Sequence, residues 1–529
     1  MAVLAACGES RRSGFDGKAN EPVLPGTDTG FDNDGGPVTE LDRDPVTCAE
    51  ATQARTYVGC DYWATVTGNL VPEIFDFAIV ISNSGQTAAS VKVTGPNGVD
   101  VDVKVAPGTL EKVFLPWVMT LKGEAYGASA TAFESSILAK KSAYHVVSSV
   151  PVVVYQFSPL EYAGKGGPSG KSWAGCPEIA GPGSGCFSYS NDASLLMPST
   201  AWTGSYRVTG IHGSSTEVLF QGKQGVLGSY AAITASQDGT KVKLLLGAKA
   251  KVLGGDGIPA GNPGEVVELT LDAGDVAQVM TERGEEFDLS GSLVESDKPV
   301  QVISGMQCTN VPADKPACDH VEESVVPAEA LGKQYILTTP TRPAGGPGAH
   351  VVRFVGNRDG TTLTYVPFKP VGCPDTLAAG EVAQCDGAVV DDIIVTGSQE
   401  FGVTTFMVGS TMYEANNPKA KGDPSQTIFA STEQFRRSYL FLNPDDYDVS
   451  YAVVVGPENA APILDGEPLT DGKPLAEGFV VWRATVKTGP HKLTSTQPVG
   501  LQAMGYGAFT SYQFPGGLDA KRIAPPPTK

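Results

Sequence analysis

Short apolar runs, separated by turns rich in glycine and proline, repeat along this chain. Four of the runs begin alike, at residues 148, 296, 398 and 495, and read SSVPVVVYQF, SDKPVQVISG, SQEFGVTTFM and STQPVGLQAM. Proline has no N–H to donate and is tolerated at the first residue of a strand. The almost continuous apolar run that follows is typical of a strand buried on both faces. We therefore predict four copies of one central strand, started by serine and proline in three of them; the copy at 398 is weaker and has Glu400 in place of the proline.

Two further markers recur before each of these strands. One is an Asn-Gly or Asp-Gly pair flanked by alternating apolar residues, which is typical of a two-residue hairpin turn; the pairs are Asn97-Gly98, Asp238-Gly239, Asp359-Gly360 and Asp465-Gly466. The other is an apolar opening strand, with the sequences IFDFAIVISN, SYRVTGIHG, QYILTTP and YLFLNP. The fixed order of markers predicts an all-β fold of tandem β-sandwich-like repeats packed together. A β-propeller-like ring of large blades is the alternative.

The markers divide the chain into seven predicted segments. Residues 8–46 are polar and rich in Gly, Pro and Asp, so they bury too little apolar surface to offset the entropy of ordering. The predicted segments are a residual lipoprotein signal at 1–7, a disordered tether at 8–47, β repeats at 48–190, 191–318, 319–430 and 431–520, and a loose tail at 521–529. The first repeat also carries a long loop.

Eight of the nine cysteines form neighbouring couples ten or twelve positions apart: Cys48 and Cys60, Cys176 and Cys186, Cys308 and Cys318, Cys373 and Cys385. No CxxC occurs, which makes zinc a poor explanation. Pairing neighbours would close four short loops, each stabilising the fold by ~2–3 kcal/mol. Other connectivities stay open at this point. We expect disulfides and an oxidising compartment.

The ninth cysteine, Cys7, ends the tetrapeptide Leu4-Ala5-Ala6-Cys7. This pattern resembles a bacterial lipobox, where a signal peptidase cuts and the cysteine receives lipid. The few residues before it lack the charged start and long apolar core of a full signal. We expect lipidation of Cys7, with a chance tetrapeptide as the alternative.

The charge of the chain limits its partners. The net charge is −20 and charged residues make up 18% of the chain. An acidic surface repels phosphate backbones, so we expect no nucleic-acid partner. It also repels anionic lipid headgroups, and no apolar run is long enough for a membrane-spanning helix. Membrane contact is therefore expected only through a lipid anchor on Cys7.

Several segments together resemble the IgGFc-binding protein N-terminal domain family. They include SSVPVVVYQFSPL, NDASLLMPSTAW from Asn191, SDKPVQVISGMQC, CDHVEESVVPAEALGKQY from Cys318 and SYQFPGGL from Ser511. The resemblance runs from about Tyr62 to Leu518 and rests on the number and order of the segments. It implies an extracellular, non-enzymatic domain. It does not imply antibody binding here, because no residues match an Fc contact.

Candidate chemistry is sparse. The chain has five histidines and contains neither HExxH nor G-x-S-x-G. In the segment 319–323, DHVEE, His320 and Glu322 would face the same side of a strand. They could bind a metal or act as an acid/base couple, although a strand end with an exposed acidic rim is the simpler interpretation. Asp192 is a similar candidate, with a turn as its simpler interpretation. We predict no cofactor and no metal.

The leading hypothesis is a non-enzymatic binding, adhesion or structural display protein, tethered at the cell surface. We expect an outer-membrane lipoprotein or a secreted protein whose partner is an extracellular protein or glycan. The alternative is a secreted hydrolase or carbohydrate-active enzyme with a site on long loops, near His320 or the 158–190 insertion. Convergent carboxylates in a deep pocket would favour that alternative.

Overall fold

A computed structural model describes residues 43–125, 132–179, 183–220, 223–315, 318–414, 417 and 419–527. The regular structure of these residues is β apart from single-turn segments and three short helices: α1 (Cys48–Ala54), α2 (Met119–Lys122) and α3 (Thr411–Glu414). The predicted all-β class is therefore confirmed. The lipobox with Cys7, and the predicted tether as far as residue 42, lie outside the described residues.

The first sheet unit is built around one long strand, β7. Its sheet order is β4-β3-β7-β2-β5, and β1 and β8 also pair with β7. The strands that come first in the chain are β1 (Gly59–Ala64), β2 (Phe77–Asn83), β3 (Ala89–Gly95), β4 (Val99–Val105), β5 (Thr109–Leu115), β6 (Ile137–Ala139), β7 (Tyr144–Ser158) and β8 (Asp192–Leu196). Strand β6 leaves this unit and pairs with β15 of the next.

The second unit repeats this plan around β16, in the order β14-β13-β16-β12-β15-β6, with β9 and β17 also paired to β16. A hairpin of β10 and β11 stands apart. The strands are β9 (Thr203–Arg207), β10 (Ser214–Phe220), β11 (Lys223–Leu227), β12 (Ser229–Ala235), β13 (Thr240–Leu245), β14 (Val266–Leu271), β15 (Val276–Met280), β16 (Leu293–Thr309) and β17 (Asp319–Ser324).

The third unit consists of two sheets, β18-β23-β20-β21 and β22-β19-β24-β25. Their apolar faces share one core, to which Leu337, Phe354 and Val395 belong, so this unit is sandwich-like. Its strands are β18 (Gln334–Leu337), β19 (His350–Gly356), β20 (Thr361–Val366), β21 (Thr376–Leu377), β22 (Val382–Gln384), β23 (Ile393–Gly397), β24 (Phe401–Met407) and β25 (Gln426–Ile428).

The fourth unit is organised around β32, in the order β29-β28-β32-β27-β31-β30, with β26 and β33 also paired to β32. Its strands are β26 (Arg436–Asn443), β27 (Val449–Pro457), β28 (Ile463–Leu464), β29 (Glu467–Pro468), β30 (Lys473–Pro474), β31 (Phe479–Val486), β32 (Gly489–Gly507) and β33 (Thr510–Pro515).

The repeated serine-proline segments lie in the middle of long strands, whereas the sequence predicted that they start them. The pairing register of β7, β16 and β32 shifts at this point, which marks a bulge. The hydroxyls of Ser148, Ser296 and Ser495 donate to the carbonyl two residues on, at 2.6–2.7 Å. Proline fits there because a bulge removes the need for its missing N–H. The third unit lacks the proline and is interrupted between β23 and β24.

The predicted turns join different strands in different units. Asn97-Gly98 connects β3 to β4 and Asp465-Gly466 connects β28 to β29, and both are hairpins with positive φ at both residues. Asp238-Gly239 instead connects β12 to β13, which both pair with β16 rather than with each other. These pairs therefore do not mark one equivalent hairpin, because the same turn chemistry serves any sharp reversal.

A buried tyrosine anchors each unit at the position of its repeated segment, to the bulged strand in the first, second and fourth units and to the start of β24 in the third. The hydroxyl groups donate to the carbonyl of the residue directly after each proline or glutamate marker, at 2.5–2.6 Å, and the four tyrosines are Tyr62, Tyr206, Tyr335 and Tyr439. Each hydroxyl also accepts from the amide three residues earlier, at 2.8–3.1 Å. The true opening strand of the first unit is therefore β1, which contains Tyr62, and not the predicted IFDFAIVISN.

The four units close into a ring. Strands β8, β17, β25 and β33 each pair with the long strand or corresponding strand of their own unit. Strand β8 lies next to β17 and β33, and β25 also lies next to both, so the innermost strands form a complete cycle. The four units are packed sheets, of which the third is sandwich-like, and their ring arrangement agrees with the propeller-like alternative.

The sheet pairings bear on the predicted repeat boundaries. Boundaries at 190 and 318 would separate β8 and β17 from β7 and β16, with which they pair. We propose instead that the first repeat ends after Leu196 and the second after Ser324. The innermost strand comes last in each repeat, which the local sequence pattern does not reveal.

Both ends of the described chain are bound to the body of the protein. Arg436 forms ion pairs with Asp44, inside the predicted tether, and with Asp519. Residues of the predicted loose tail are also held, because Ile523 and Ala524 donate to the carbonyl of Glu329 at 2.8 and 2.9 Å. The segments 43–47 and 521–527 are therefore ordered by specific hydrogen bonds and ion pairs.

All four predicted local disulfides form: Cys48–Cys60, Cys176–Cys186, Cys308–Cys318 and Cys373–Cys385. The first joins α1 to β1, and the third joins the end of β16 to the loop before β17. Each closes a short loop within a single unit.

Candidate functional site

The ring brings the three candidate residues to its centre. Asp192 is the first residue of β8, and His320 and Glu322 lie on β17. All three side chains are fully buried. We call the buried polar side chains of β8, β17, β25 and β33 the axial core.

Asp192 connects three of the four sheet units. Its Oδ2 accepts hydrogen bonds from the amides of Glu322 at 2.9 Å and Gln426 at 3.0 Å. Its Oδ1 accepts from the Ser425 hydroxyl at 2.7 Å and from the amide of Ala193 at 2.9 Å. Burial raises the pKa of Asp192, and these hydrogen bonds act in the opposite direction. The carboxyl group therefore holds the innermost strands together.

Glu322 reaches from the second unit into the first. Its Oε1 accepts from the side-chain amide of Gln156 at 2.8 Å and from the Ser194 hydroxyl at 3.3 Å, and its Oε2 accepts from the Thr67 hydroxyl. His320 Nε2 lies 3.4 Å from Glu322 Oε2. The two side chains share a side of β17, as predicted, but the partners of Glu322 are uncharged groups of the neighbouring sheet.

Three more buried acidic side chains lie in or beside the axial core: Asp319 and Glu323 on β17, and Asp423 in the segment just before β25. Burial raises the pKa of each, and the nearby Asp423 and Asp192 carboxyls raise that of Asp319 further. Thr510 of the fourth unit donates to Asp319 Oδ2 at 3.3 Å. The axial core thus includes groups from all four units.

The expected exposed acidic rim is wrong, because ring closure covers it. A strand end looks exposed from its local sequence, yet β17 is enclosed by β16, β8 and β25. Among the described residues, no cluster of three or more His, Cys, Asp or Glu side chains could hold a metal ion. Within the described part of the chain, the side chains of His320, Glu322 and Asp192 have no solvent-exposed surface, so their geometry favours a structural role.

Open clefts occur instead at the boundaries between units. One of about 510 Å³ lies between the second and third units, with Arg207 and Arg353 in its lining. Another of about 550 Å³ lies beside Arg436 and the chain ends. A smaller one of about 250 Å³ lies between the first and fourth units and includes Glu161. None of the axial-core acids lines these three clefts.

No helix in the described part of the chain has the length and apolar character needed to cross a membrane.

The fold and the axial core define an all-β, disulfide-bonded ring protein with a closed centre and clefts at its periphery. The family model described as IgGFc binding protein matches residues 192–505, more than half of the chain. The chain belongs to this family, as the sequence resemblance indicated.

One curated relative supports the assignment. The human IgGFc-binding protein is 31% identical over 134 residues, which are 25% of this chain and 2% of the relative. The chain therefore matches only a small part of that protein's length. Family membership and the four disulfides together point to a secreted or surface protein.

Two solved structures show a remote likeness to this chain. An anti-sigma factor domain-containing protein from Clostridium clariflavum is 14% identical, with 60% of this chain and 83% of that chain covered and a TM-score of 0.12. A tetra-tandem repeat from the extending region of a large adhesion protein is 8% identical, with 87% and 99% covered and a TM-score of 0.09. Scores this low carry no argument about fold or function.

Proposed function

We propose that this protein is a non-catalytic extracellular binding and display module, held at a cell surface through the predicted lipid on Cys7. The observation that carries the proposal is the burial of Asp192, His320 and Glu322 inside the ring. A closed ring whose units contain four disulfides is a rigid support, and its peripheral loops and clefts are available to bind a partner. The predicted tether would give the ring reach from the membrane.

The partner we propose is an extracellular protein or a glycan. The name of the human relative states that it binds the Fc part of IgG, and Fc is therefore one partner to test. The match covers too little of that protein to favour Fc over other partners.

The hydrolase alternative has one supporting observation. Glu161, Asp445 and Asp446 all line the 250 Å³ cleft. However, Lys171 contacts Glu161 at 2.9 Å, Lys112 pairs with Asp445, and Asp446 accepts from the amides of Tyr162 and Ala163. Each carboxyl group is thus occupied in holding loops together, which favours the binding function.

The test uses the full chain on arrays of extracellular proteins, including IgG Fc, and of glycans, alongside a panel of glycoside and ester substrates. Saturable binding to an array component without turnover is the expected result. Turnover without binding would overturn the proposal. Mass spectrometry of the native N-terminus tests the anchor separately, and an unmodified Cys7 would remove it.

A further inference from the structure

The long loop of the first unit is fastened by a cluster of three charged side chains. Lys171, in this loop, contacts two carboxyl groups, because its Nζ lies 2.5 Å from Asp76 Oδ2 and 2.9 Å from Glu161 Oε1. The side chains of Lys171 and Glu161 are only 10% and 5% exposed. Glu161 Oε2 also accepts from the backbone amide of Asp76 at 2.8 Å. One amine and two carboxyl groups are therefore held in contact and largely shielded from water.

Aromatic rings and a glycine pack around this cluster. Lys171 Nζ lies 4.0 Å from the centre of the Trp173 ring, and that ring packs at 5.3 Å against the buried ring of Phe75. A Cβ on Gly167 would lie 2.5 Å from Lys171 Cδ and 2.7 Å from Glu161 Oε1, so the loop closes tightly over both side chains. Burial of this kind disfavours charged groups. A reaction that removes an ammonium and a carboxylate together is therefore favoured here.

Glu161 has the protonation behaviour of a group that can transfer protons. Burial raises the pKa of Glu161 to about 7, and its side-chain hydrogen bond with Asp76 acts in the same direction. Near neutral pH this carboxyl group therefore exists in both its protonated and its ionised form. A group that accepts a proton and returns it works best when its pKa lies near the operating pH.

The contact between Lys171 and Asp76 is close enough for a bond to form. Reacting atoms about 3–3.5 Å apart are well placed for attack. A nitrogen that lies 2.5 Å from one carboxylate oxygen is at about this distance from the carbon that carries the oxygen. The fold thus holds the amine against the Asp76 carboxyl group, with Glu161 beside both.

We propose that Lys171 and Asp76 condense to an amide, which cross-links the long loop to the segment just before β2 by an isopeptide bond. Glu161 carries two protons in turn from Nζ to a carboxyl oxygen of Asp76. The Nζ–Cγ bond forms, the Cγ–O bond breaks, and that oxygen leaves as water. An ammonium and a carboxylate are thereby converted to an amide and one water, without an oxidant, a reductant or a further reactant.

The cross-link supplies a constraint that the disulfides do not. It joins residues 95 positions apart, whereas the disulfides join residues ten or twelve positions apart. Closing a longer loop restricts the unfolded chain more strongly. An amide is also inert to reducing agents, so the loop beside the cleft between the first and fourth units stays fastened when the Cys176–Cys186 disulfide is reduced.

The test is the intact mass of the full chain after reduction of its disulfides, followed by mapping of its tryptic peptides. The mass should lie about 18 Da, one water, below the value calculated from the sequence with its determined N-terminus. Trypsin should no longer cleave after Lys171. The peptides that contain Asp76 and Lys171 should be recovered as one branched peptide.

Three variants separate the roles in the reaction. Lys171→Arg keeps the positive charge without a reactive amine and should have its full calculated mass. Glu161→Gln leaves both reacting groups in place, and the cross-link should appear at least about 100-fold more slowly in samples taken at intervals after synthesis. Lys140→Arg is the matched control, because Lys140 pairs with Asp275 at 2.7 Å but is 58% exposed, and it should leave the loss of water unchanged.

A wild-type chain of full calculated mass would overturn the proposal, whether or not the variants fold. A succinimide at an Asp-Gly turn gives the same loss of mass, but it persists in Lys171→Arg and yields no branched peptide, and that result would also overturn the proposal. A branch from Lys171 to Glu161 would show that Asp76 is not the acceptor. Cross-linking of Glu161→Gln at the wild-type rate would show that Glu161 does not carry the protons.

Discussion

The axial core makes a quantitative prediction about Asp192, because its two carboxyl oxygens serve four donors. In Asp192→Asn an amide NH2 replaces one oxygen. If it replaces Oδ1, the Ser425 hydroxyl can rotate to accept from it, but the Ala193 amide loses its acceptor. If it replaces Oδ2, the amides of Glu322 and Gln426 both lose theirs. At least one buried N–H is therefore left unpaired.

Leaving a buried donor without a partner costs about 1–3 kcal/mol. Asp192→Asn should therefore lower the free energy of unfolding by about 1–3 kcal/mol, and Asp192→Ala, which leaves three backbone amides unpaired, by about 3–9 kcal/mol. The larger loss is comparable with the whole free energy of unfolding of a typical domain. The alanine variant therefore tests whether the protein folds at all, and the asparagine variant gives a change in the free energy of unfolding that can be measured.

Urea unfolding followed by tryptophan fluorescence and circular dichroism measures the effect. Asp100→Asn is the matched control, because Asp100 is exposed on β4 and, within the part of the chain that the structure describes, pairs with Lys92 alone. The cost of this control substitution should stay within about 0.5 kcal/mol. Equal stabilities of Asp192→Asn and Asp100→Asn would show that Asp192 does not hold the innermost strands together.

Three further predictions address other parts of the fold. Tyr206→Phe removes a buried hydroxyl that hydrogen-bonds to the Val300 carbonyl and the Thr203 amide. In urea unfolding it should lower the free energy of unfolding by about 2–4 kcal/mol. Tyr365→Phe, at a half-buried site, is the control, and a smaller loss for Tyr206→Phe than for this control would contradict the anchoring role. Burial lowers the pKa of His350 from 6.5 to about 4. Between pH 4 and pH 6.5 the folded state therefore binds fewer protons than the unfolded state. The contribution of His350 to the free energy of unfolding is fully present above pH 6.5, and about 3 kcal/mol of it is lost as the pH falls to 4. His350→Gln should lack this loss in paired unfolding curves, and an unchanged pH dependence would refute the assignment. Arg436→Ala breaks the ion pairs with Asp44 and Asp519 and should speed proteolysis of the C-terminal tail. Arg437→Ala, at the exposed neighbouring position, should leave the cleavage rate unchanged. Equal cleavage rates for the two variants would show that Arg436 does not hold the chain ends.

Local sequence features predicted the repeated strands and the disulfides. Cysteines ten or twelve positions apart can meet across a short loop, so their pairing depends on nearby residues alone. The apolar runs after Ser148 and Ser296 are buried in β7 and β16 as predicted. Their position in mid-strand was missed, because proline at a bulge and proline at a strand start leave the same local pattern.

The anchoring tyrosines and the axial core depend on distant contacts. A weak signal for the tyrosines exists, because GCDY, TGSY, GKQY and RRSY each end at one of them. For Asp192, a bond to Gln426 spans 234 positions of the chain. Nothing local distinguishes a carboxyl group at an exposed turn from one that is buried against two other units, so ring closure had to be seen in the structure.

Hydrogen exchange of the full chain, measured by mass spectrometry, tests the closed ring most directly. Peptides from β8, β17, β25 and β33 should be the slowest to exchange, and they should become labile together in mild denaturant. If each of the four strands instead exchanged at the rate of the other strands in its own unit, and the four rates were unrelated, a ring closed around a common core would be contradicted.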